Sequence, residues 1–182
     1  MCAFCWLPSS ADAQAALIDS KYDVEIVRAA KLWLPMWDHR WWKAQLFQES
    51  RLRPDAVSPV GAQGLCQAMP GTWKDISRAL RWGTVSPFVA RYCIEGGAYY
   101  MAQQRRMWKS ERPESDRRQL AQASYNAGAG NILKAQKACN GARNWPVIVT
   151  CLPRITGAKN THETTTYVER IERWYKVLVA SG

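Results

Sequence analysis

From Tyr22 onward, apolar positions recur at three- and four-residue steps, the period of a helix, almost throughout the chain. Val24, Val27, Ala30 and Lys31 form a short helical face that Pro35 closes. A second helix runs from about Asp38, a suitable N-cap, to about Ser50, since Pro54 cannot continue it. Thr72 can cap another through about Leu80, and Ser86-Pro87 open a longer one reaching about Trp108. Gly96-Gly97 weaken that longer helix, and close packing against a neighbour is the reason to tolerate them. Glu114-Ser115-Asp116 starts a helix that ends at the turn Ser124 to Gly130, and the next spans about Asn131 to Ala138. In the last, from Glu163 to about Val179, Tyr167, Ile171, Trp174 and Leu178 make one apolar face.

The breaks in this pattern matter as much. Cys139 to Asn160 is rich in Gly, Pro and Asn and reads as loop, apart from a turn of helix near Trp145 to Val149. Val57 to Leu65 leaves room for a very short strand pair or an irregular loop. Trp33, Trp37 and Trp41 are four apart, but Pro35 interrupts a continuous aromatic stripe, so most of these indoles belong to the core. The expected fold is all-α, a single compact domain with little or no sheet, over residues 21–182. Residues 1–20 stand apart. Met1 to Pro8 is apolar and leads to Ala11-Asp12-Ala13, the small-x-small form of a signal-peptidase site. No Lys or Arg precedes Lys21, so the segment reads as a shortened signal-peptide remnant.

Within the second helix, Trp42, Leu46 and Glu49 share a face. A carboxylate set against indole and leucine loses solvation, which raises its pKa and suits it to general acid work near neutral pH. The alternative is a Glu at a helix end whose head reaches water. Ser58 to Leu65 follows with turn formers and two glycines, Gly61 and Gly64, which permit positive φ and close approach of backbone to a ligand. Tyr125 and Asn126 fall at a helix end before the Ala-Gly-Ala-Gly turn, where polar side chains can face a cleft.

Charge adds a partner class without choosing one. The 25 Lys and Arg against 15 Asp and Glu give +10, which favours nucleic acid, acidic lipid or anionic wall polymers. The basic residues are scattered, with local pairs at Arg105-Arg106 and Arg117-Arg118 and no recognisable nucleic-acid motif. No stretch approaches the roughly 18 apolar residues that span a bilayer. Six cysteines suit an exported protein. Cys139 and Cys151 bracket residues 140–150 and are the first candidate disulfide, a closure worth about 3 kcal/mol in the chain-entropy model. Only His39 and His162 are available, no metal-spaced His pair occurs, and Cys2 and Cys5, the one Cys-x-x-Cys spacing, lie in the N-terminal segment, so neither a metal site nor a cofactor is expected.

The set Glu49-Ser50, Ser58, Gly61-Ala62, Gly64-Leu65, Gln67 and Met69-Pro70 resembles the soluble lytic transglycosylase and goose-type lysozyme families. Tyr125-Asn126-Ala127-Gly128 is similar to the second motif of those families, and Glu163-Thr164 with Tyr167-Val168 and Arg170-Ile171 to the third. The resemblance covers roughly Tyr22 to Tyr175 and implies a lysozyme-like domain built around a central catalytic helix. It implies cleavage of the β-1,4 bond between N-acetylmuramic acid and N-acetylglucosamine, with Glu49 as acid and then base and a 1,6-anhydro ring as product. By the same resemblance Tyr125 would place its hydroxyl near Glu49, and Ser58, Gln67 and Asn126 would hydrogen-bond the sugar. Met69 would supply an apolar wall, and Glu163, with Tyr167 beside it in the third motif, would face the peptide-bearing part of the substrate. Cys66 and Cys93 occupy positions that lie near one another in the family fold, which makes them a second candidate pair, with buried free thiols as the alternative. Ordinary glycosidases need two carboxyls; here Asp55 lies in an exposed-looking turn and is not assigned the second role. The expected partner is a peptidoglycan glycan strand, and the expected protein a monomer that is secreted or periplasmic, in the narrower reading a phage-encoded lysin. Goose-type hydrolysis on the same scaffold and a basic nucleic-acid-binding helical module remain as alternatives.

Overall fold

The computed structural model describes residues 18–181, so most of the N-terminal segment, with Cys2, Cys5 and the signal-like site, lies outside the described residues. Helix α1 spans Asp23–Trp33, α2 His39–Ser50, α3 Pro70–Ala79, α4 Ala90–Met107, α5 Glu114–Ala127, α6 Ala129–Ala138, α7 Trp145–Cys151 and α8 Pro153–Ala180. Among the described residues there is no sheet, only isolated bridges pairing Val57 with Gln63 and Gln63 with Ala68. No described helix is long and apolar enough to cross a membrane.

Several helix starts follow from local chemistry. Asp38 caps α2 by accepting a hydrogen bond from the Arg40 backbone N–H at 2.9 Å. Helix α3 begins at Pro70 rather than Thr72, because proline fits the first helical turn, where its missing N–H has no intrahelical acceptor. Helix α4 begins at Ala90, later than the Ser86-Pro87 signal. The largest departure is at the end of the chain. Residues 153–160, expected as loop, are helical, and α8 runs on to Ala180 through one break at Gly157, whose φ of 80° interrupts the helix without ending it. In α1 the buried face is Ile26, Ala29 and Ala30, whereas Val24 is 80% exposed. The predicted face was therefore rotated from the one that packs.

Helix α2 runs through the centre of the core. Trp42 is buried and donates its indole N–H to the Ile94 carbonyl of α4 at 3.2 Å. Gly97 lets the helices come this close. A Cβ there would meet Cys66 Cβ at 2.7 Å and the Trp42 ring at 2.9 Å, so the two glycines of α4 serve close packing. On its other side Trp41 stacks on Tyr175 of α8 at 3.7 Å, with the Arg118 guanidinium 3.6 Å from the same indole. Buried Lys43 pairs with Asp23 at 2.5 Å and ties α2 to the start of α1. Leu46, Leu65, Ile94, Met101, Leu120 and Ile132 complete a single core.

Both expected disulfides are present. Cys66 joins Cys93 across a Cα separation of 5.7 Å, and Cys139 joins Cys151 across 5.8 Å. The first pins the loop after Glu49 to α4, and the second pins the end of α6 to α7.

Candidate active site

Glu49 occupies the last turn of α2, and the chain leaves that helix sharply, with Arg51 and Leu52 both in the left-handed region at φ 57°. Ser50 donates its hydroxyl to the Leu65 carbonyl at 3.0 Å, which holds the helix end against the following loop. That loop is closed on itself. The Ser58 hydroxyl accepts from the Ala62 N–H at 2.9 Å, and the Gln67 amide donates to the carbonyls of Gly64 (2.9 Å) and Ala56 (3.2 Å). Gly64 is required there, since a Cβ would lie 2.2 Å from the Pro87 carbonyl oxygen.

Helix α8 brings the second half of the site. Its Tyr167 hydroxyl donates to Glu49 Oε1 at 2.5 Å. Burial raises the Glu49 carboxyl from its ordinary 4.5 to about 8, and the Tyr167 hydrogen bond, which favours the anion, offsets only part of that. Glu49 is thus mainly protonated at neutral pH while keeping part of its surface open to a cleft of about 490 Å³. Burial, with the nearby Glu49 charge, pushes the Tyr125 and Tyr167 hydroxyls well above their ordinary range, so both remain donors.

Glu49, Asn126, Glu163 and Tyr167 line this one cleft together. Tyr125 stands behind it: its hydroxyl donates to the Cys66 carbonyl at 2.8 Å, and the hydroxyl bonded to Glu49 is that of Tyr167. The Asn126 carbonyl accepts from the Thr164 hydroxyl at 2.9 Å, which fixes the amide at the cleft wall. Ser58, Gln67 and Met69 are not among the cleft-lining residues; Ser58 and Gln67 brace the loop, and Met69 is 43% exposed at the N-cap of α3. Asp55 is exposed and does not line the cleft either. Gln48, Lys159, His162, Thr166 and Arg170 also line it and were given no role in the site from the sequence, although Arg170 stands in the third motif. Their signal was present: 159, 162, 163, 166, 167 and 170 advance by helical steps, legible once residues 153–160 are recognised as helix.

The fold and the cleft together define a class: an all-helical domain holding one protonated carboxyl, hydrogen-bonded by a tyrosine, at the base of an open cleft. Residues 35–148 match the Transglycosylase SLT domain family, and the chain belongs to that family. Membrane-bound lytic murein transglycosylase F of Marinobacter nauticus is 33% identical over 147 residues, covering 73% of this chain and 28% of that protein. Its namesake in Shewanella pealeana is 30% identical over 156 residues, covering 78% of this chain and 31% of that protein. Among solved structures, an inactive mutant of lytic transglycosylase Slt from Pseudomonas aeruginosa superposes with a TM-score of 0.70 at 28% identity, covering 90% of this chain and 25% of that one. The 70 kDa soluble lytic transglycosylase of Escherichia coli shares the fold, with a TM-score of 0.67 at 24% identity over 93% of this chain and 28% of that one. The chain spans under a third of the length of these relatives.

Proposed function

We propose that this domain is a peptidoglycan lytic transglycosylase that cleaves the β-1,4 bond between N-acetylmuramic acid and N-acetylglucosamine and leaves 1,6-anhydro-muramoyl ends. The observation that carries this is Glu49, whose carboxyl is raised to about 8 by burial and is held by the Tyr167 hydroxyl where it lines the cleft. One carboxyl suffices if the substrate supplies the nucleophile. Protonated Glu49 gives its proton to the glycosidic oxygen, the C1–O bond breaks, and N-acetylglucosamine leaves as an alcohol. The Glu49 carboxylate then takes the proton of the muramoyl C6 hydroxyl while that oxygen bonds to C1. The acid is regenerated and no water is consumed. The N-acetyl group can stabilise the intermediate.

Tyr167 steadies the carboxyl through both steps and, by favouring the anion, eases the first proton transfer. In this reading the Asn126 amide bonds the sugar and Glu163 faces the peptide-bearing part of the strand. Ser58 and Gln67 act through the shape of the loop, Tyr125 holds that loop at Cys66, and Met69 offers exposed apolar surface at the start of α3. The names of the relatives support the reading, and the +10 charge suits an anionic wall polymer. Two disulfides suit an oxidising envelope, periplasmic or secreted. The finer reading, a phage-encoded lysin delivered to the host envelope, is tested by gene neighbourhood, where a holin gene beside it is expected. Product mass tests the chemistry: anhydro ends, each lighter by one water than a reducing end, are expected. Reducing ends in every product would replace transglycosylation with goose-type hydrolysis, and tight duplex binding without any muralytic activity would favour a nucleic-acid module.

A further inference from the structure

The end of α2, where Glu49 sits, is held from outside by two consecutive carbonyls. The hydroxyl of Ser50, the residue after the acid, donates to the Leu65 carbonyl at 3.0 Å and lies 3.3 Å from the Leu46 carbonyl of its own helix. The next carbonyl, that of Cys66, accepts the Tyr125 hydroxyl at 2.8 Å, and the residue after Tyr125, Asn126, lines the cleft with Glu49. Cys66 is in turn bonded to Cys93 in the first turn of α4, and both are fully buried. Two turns further along α4, Tyr100 packs edge to face on Tyr125 at 5.1 Å. These links close a ring: α4 holds Cys66 through sulfur, the Cys66 carbonyl holds Tyr125, and the Tyr125 ring returns to α4.

Two glycines leave the room for this bond. A Cβ at Gly64 would lie 2.8 Å from Cys93 Sγ, and one at Gly97 would lie 2.7 Å from Cys66 Cβ. The backbone that the bond holds is a costly one: Gln67, directly after Cys66, takes φ 46°, in the left-handed region that a residue with a Cβ enters against steric resistance. A hydrogen bond can be exchanged for one to water, whereas a covalent bond keeps its partner. Fixing the carbonyls of Leu65 and Cys66 therefore fixes the helix end, and with it the burial that keeps Glu49 protonated. The titratable and charged groups around the acid are Tyr167 of α8, Tyr125 of α5 with Tyr100 of α4 behind it, and, along the cleft, Lys159, His162, Glu163 and Arg170 of α8. The disulfide can be removed without altering any of them.

We infer that the Cys66–Cys93 disulfide is a positioning device for the catalytic acid, holding Glu49 in its buried place through the carbonyls of Leu65 and Cys66. The inference rests on the transglycosylase reading above and adds to it residues that act on the acid without touching substrate. Cys66→Ala with Cys93→Ala should let water reach the carboxyl, so the decline of kcat/KM with rising pH should move down by about one pH unit, a tenfold change in the ionisation constant of the acid. Turnover should fall by about tenfold or more with KM little changed, as for a misplaced reacting group rather than lost binding. Titration of the Glu49 carboxyl, followed by NMR in isotope-labelled protein, should show the same shift directly. Cys139→Ala with Cys151→Ala, which removes the other bridge, should lower the thermal midpoint and leave both the titration and kcat in place. Ser50→Ala keeps both bridges and so carries the test even where the Cys66 and Cys93 variant does not fold. It should give part of the shift, and little more when added to that variant. An unmoved carboxyl in Ser50→Ala, or in the folded Cys66 and Cys93 variant, overturns the inference. So does an equal shift on removing the Cys139–Cys151 bridge, or full additivity of Ser50→Ala with loss of the Cys66–Cys93 bond. A wild type that cleaves no wall preparation removes the transglycosylase reading, while the carboxyl titration still decides this one.

Discussion

Replacing Glu49 by Gln keeps shape and hydrogen-bonding reach, so the Tyr167 hydroxyl keeps an acceptor, but it removes the proton. Activity should fall by roughly the 10² to 10⁴ of a general acid–base residue, or more, since one group serves both steps. Stability should move the other way. The carboxyl titrates near 4.5 when exposed and about 8 in the fold, so at pH 7 unfolding releases a proton that the native state holds. A raised carboxyl pKa weakens the fold progressively as pH rises from about 4.5 to about 8, and has no effect below that window. At pH 7 the penalty is at most about 3 kcal/mol, at about 1.36 kcal/mol per pH unit, a ceiling because Glu49 is partly open to the cleft. Gln carries no such penalty. Glu49→Gln should therefore melt above wild type by up to about 10 °C at pH 7, using about 2–4 °C per kcal/mol for a domain of this size, and match it near pH 4. Thermal midpoints from pH 4 to pH 9, with muralytic rates on purified wall, check both halves. An active Glu49→Gln protein, or a midpoint difference that does not change with pH, refutes the reasoning.

The wild-type kcat/KM should decline as pH rises through about 8, because the first step needs the acid form of Glu49. Tyr167→Phe, which removes the bond favouring the anion, should move that decline to higher pH and reduce turnover by about tenfold or more; an unmoved pH profile would detach Tyr167 from the acid. Asp55→Asn should keep most activity, and an inactive but folded variant would point to a two-carboxylate hydrolase. Gly97→Ala should lower the thermal midpoint despite its better helix propensity, by about 1–3 kcal/mol of overpacking against Cys66 and Trp42. Intact mass with alkylation and no reductant should show two bridges, and removing Cys139 and Cys151 together should cost about 2–4 kcal/mol; free labelling of all six thiols in active protein sinks the disulfide reading.

What the chain determines locally is legible in its order of residues. The Asp38 cap and the steps from Trp42 through Leu46 to Glu49 depend only on helix geometry and a few neighbours, and they place the acid on the buried face without any knowledge of the rest. Cys139 and Cys151 pair because little chain separates them. Which faces meet is a different kind of fact. Tyr125 and Tyr167 are equally suited to a carboxyl, and only the packing of α8 along α2 decides that Tyr167 reaches Glu49 while Tyr125 turns to the Cys66 carbonyl. Ser58 and Gln67 have the right chemistry for a sugar, and only the folded loop reveals that each also satisfies backbone groups within it. Residues 153–160 have the composition of a loop and fold as helix, because α8 gains more by packing than Gly157 takes away, and that helix carries Lys159 into the cleft. The seating of Arg51 against Trp174 spans more than a hundred residues of chain and accompanies Trp174 meeting Phe47, a contact no local pattern encodes.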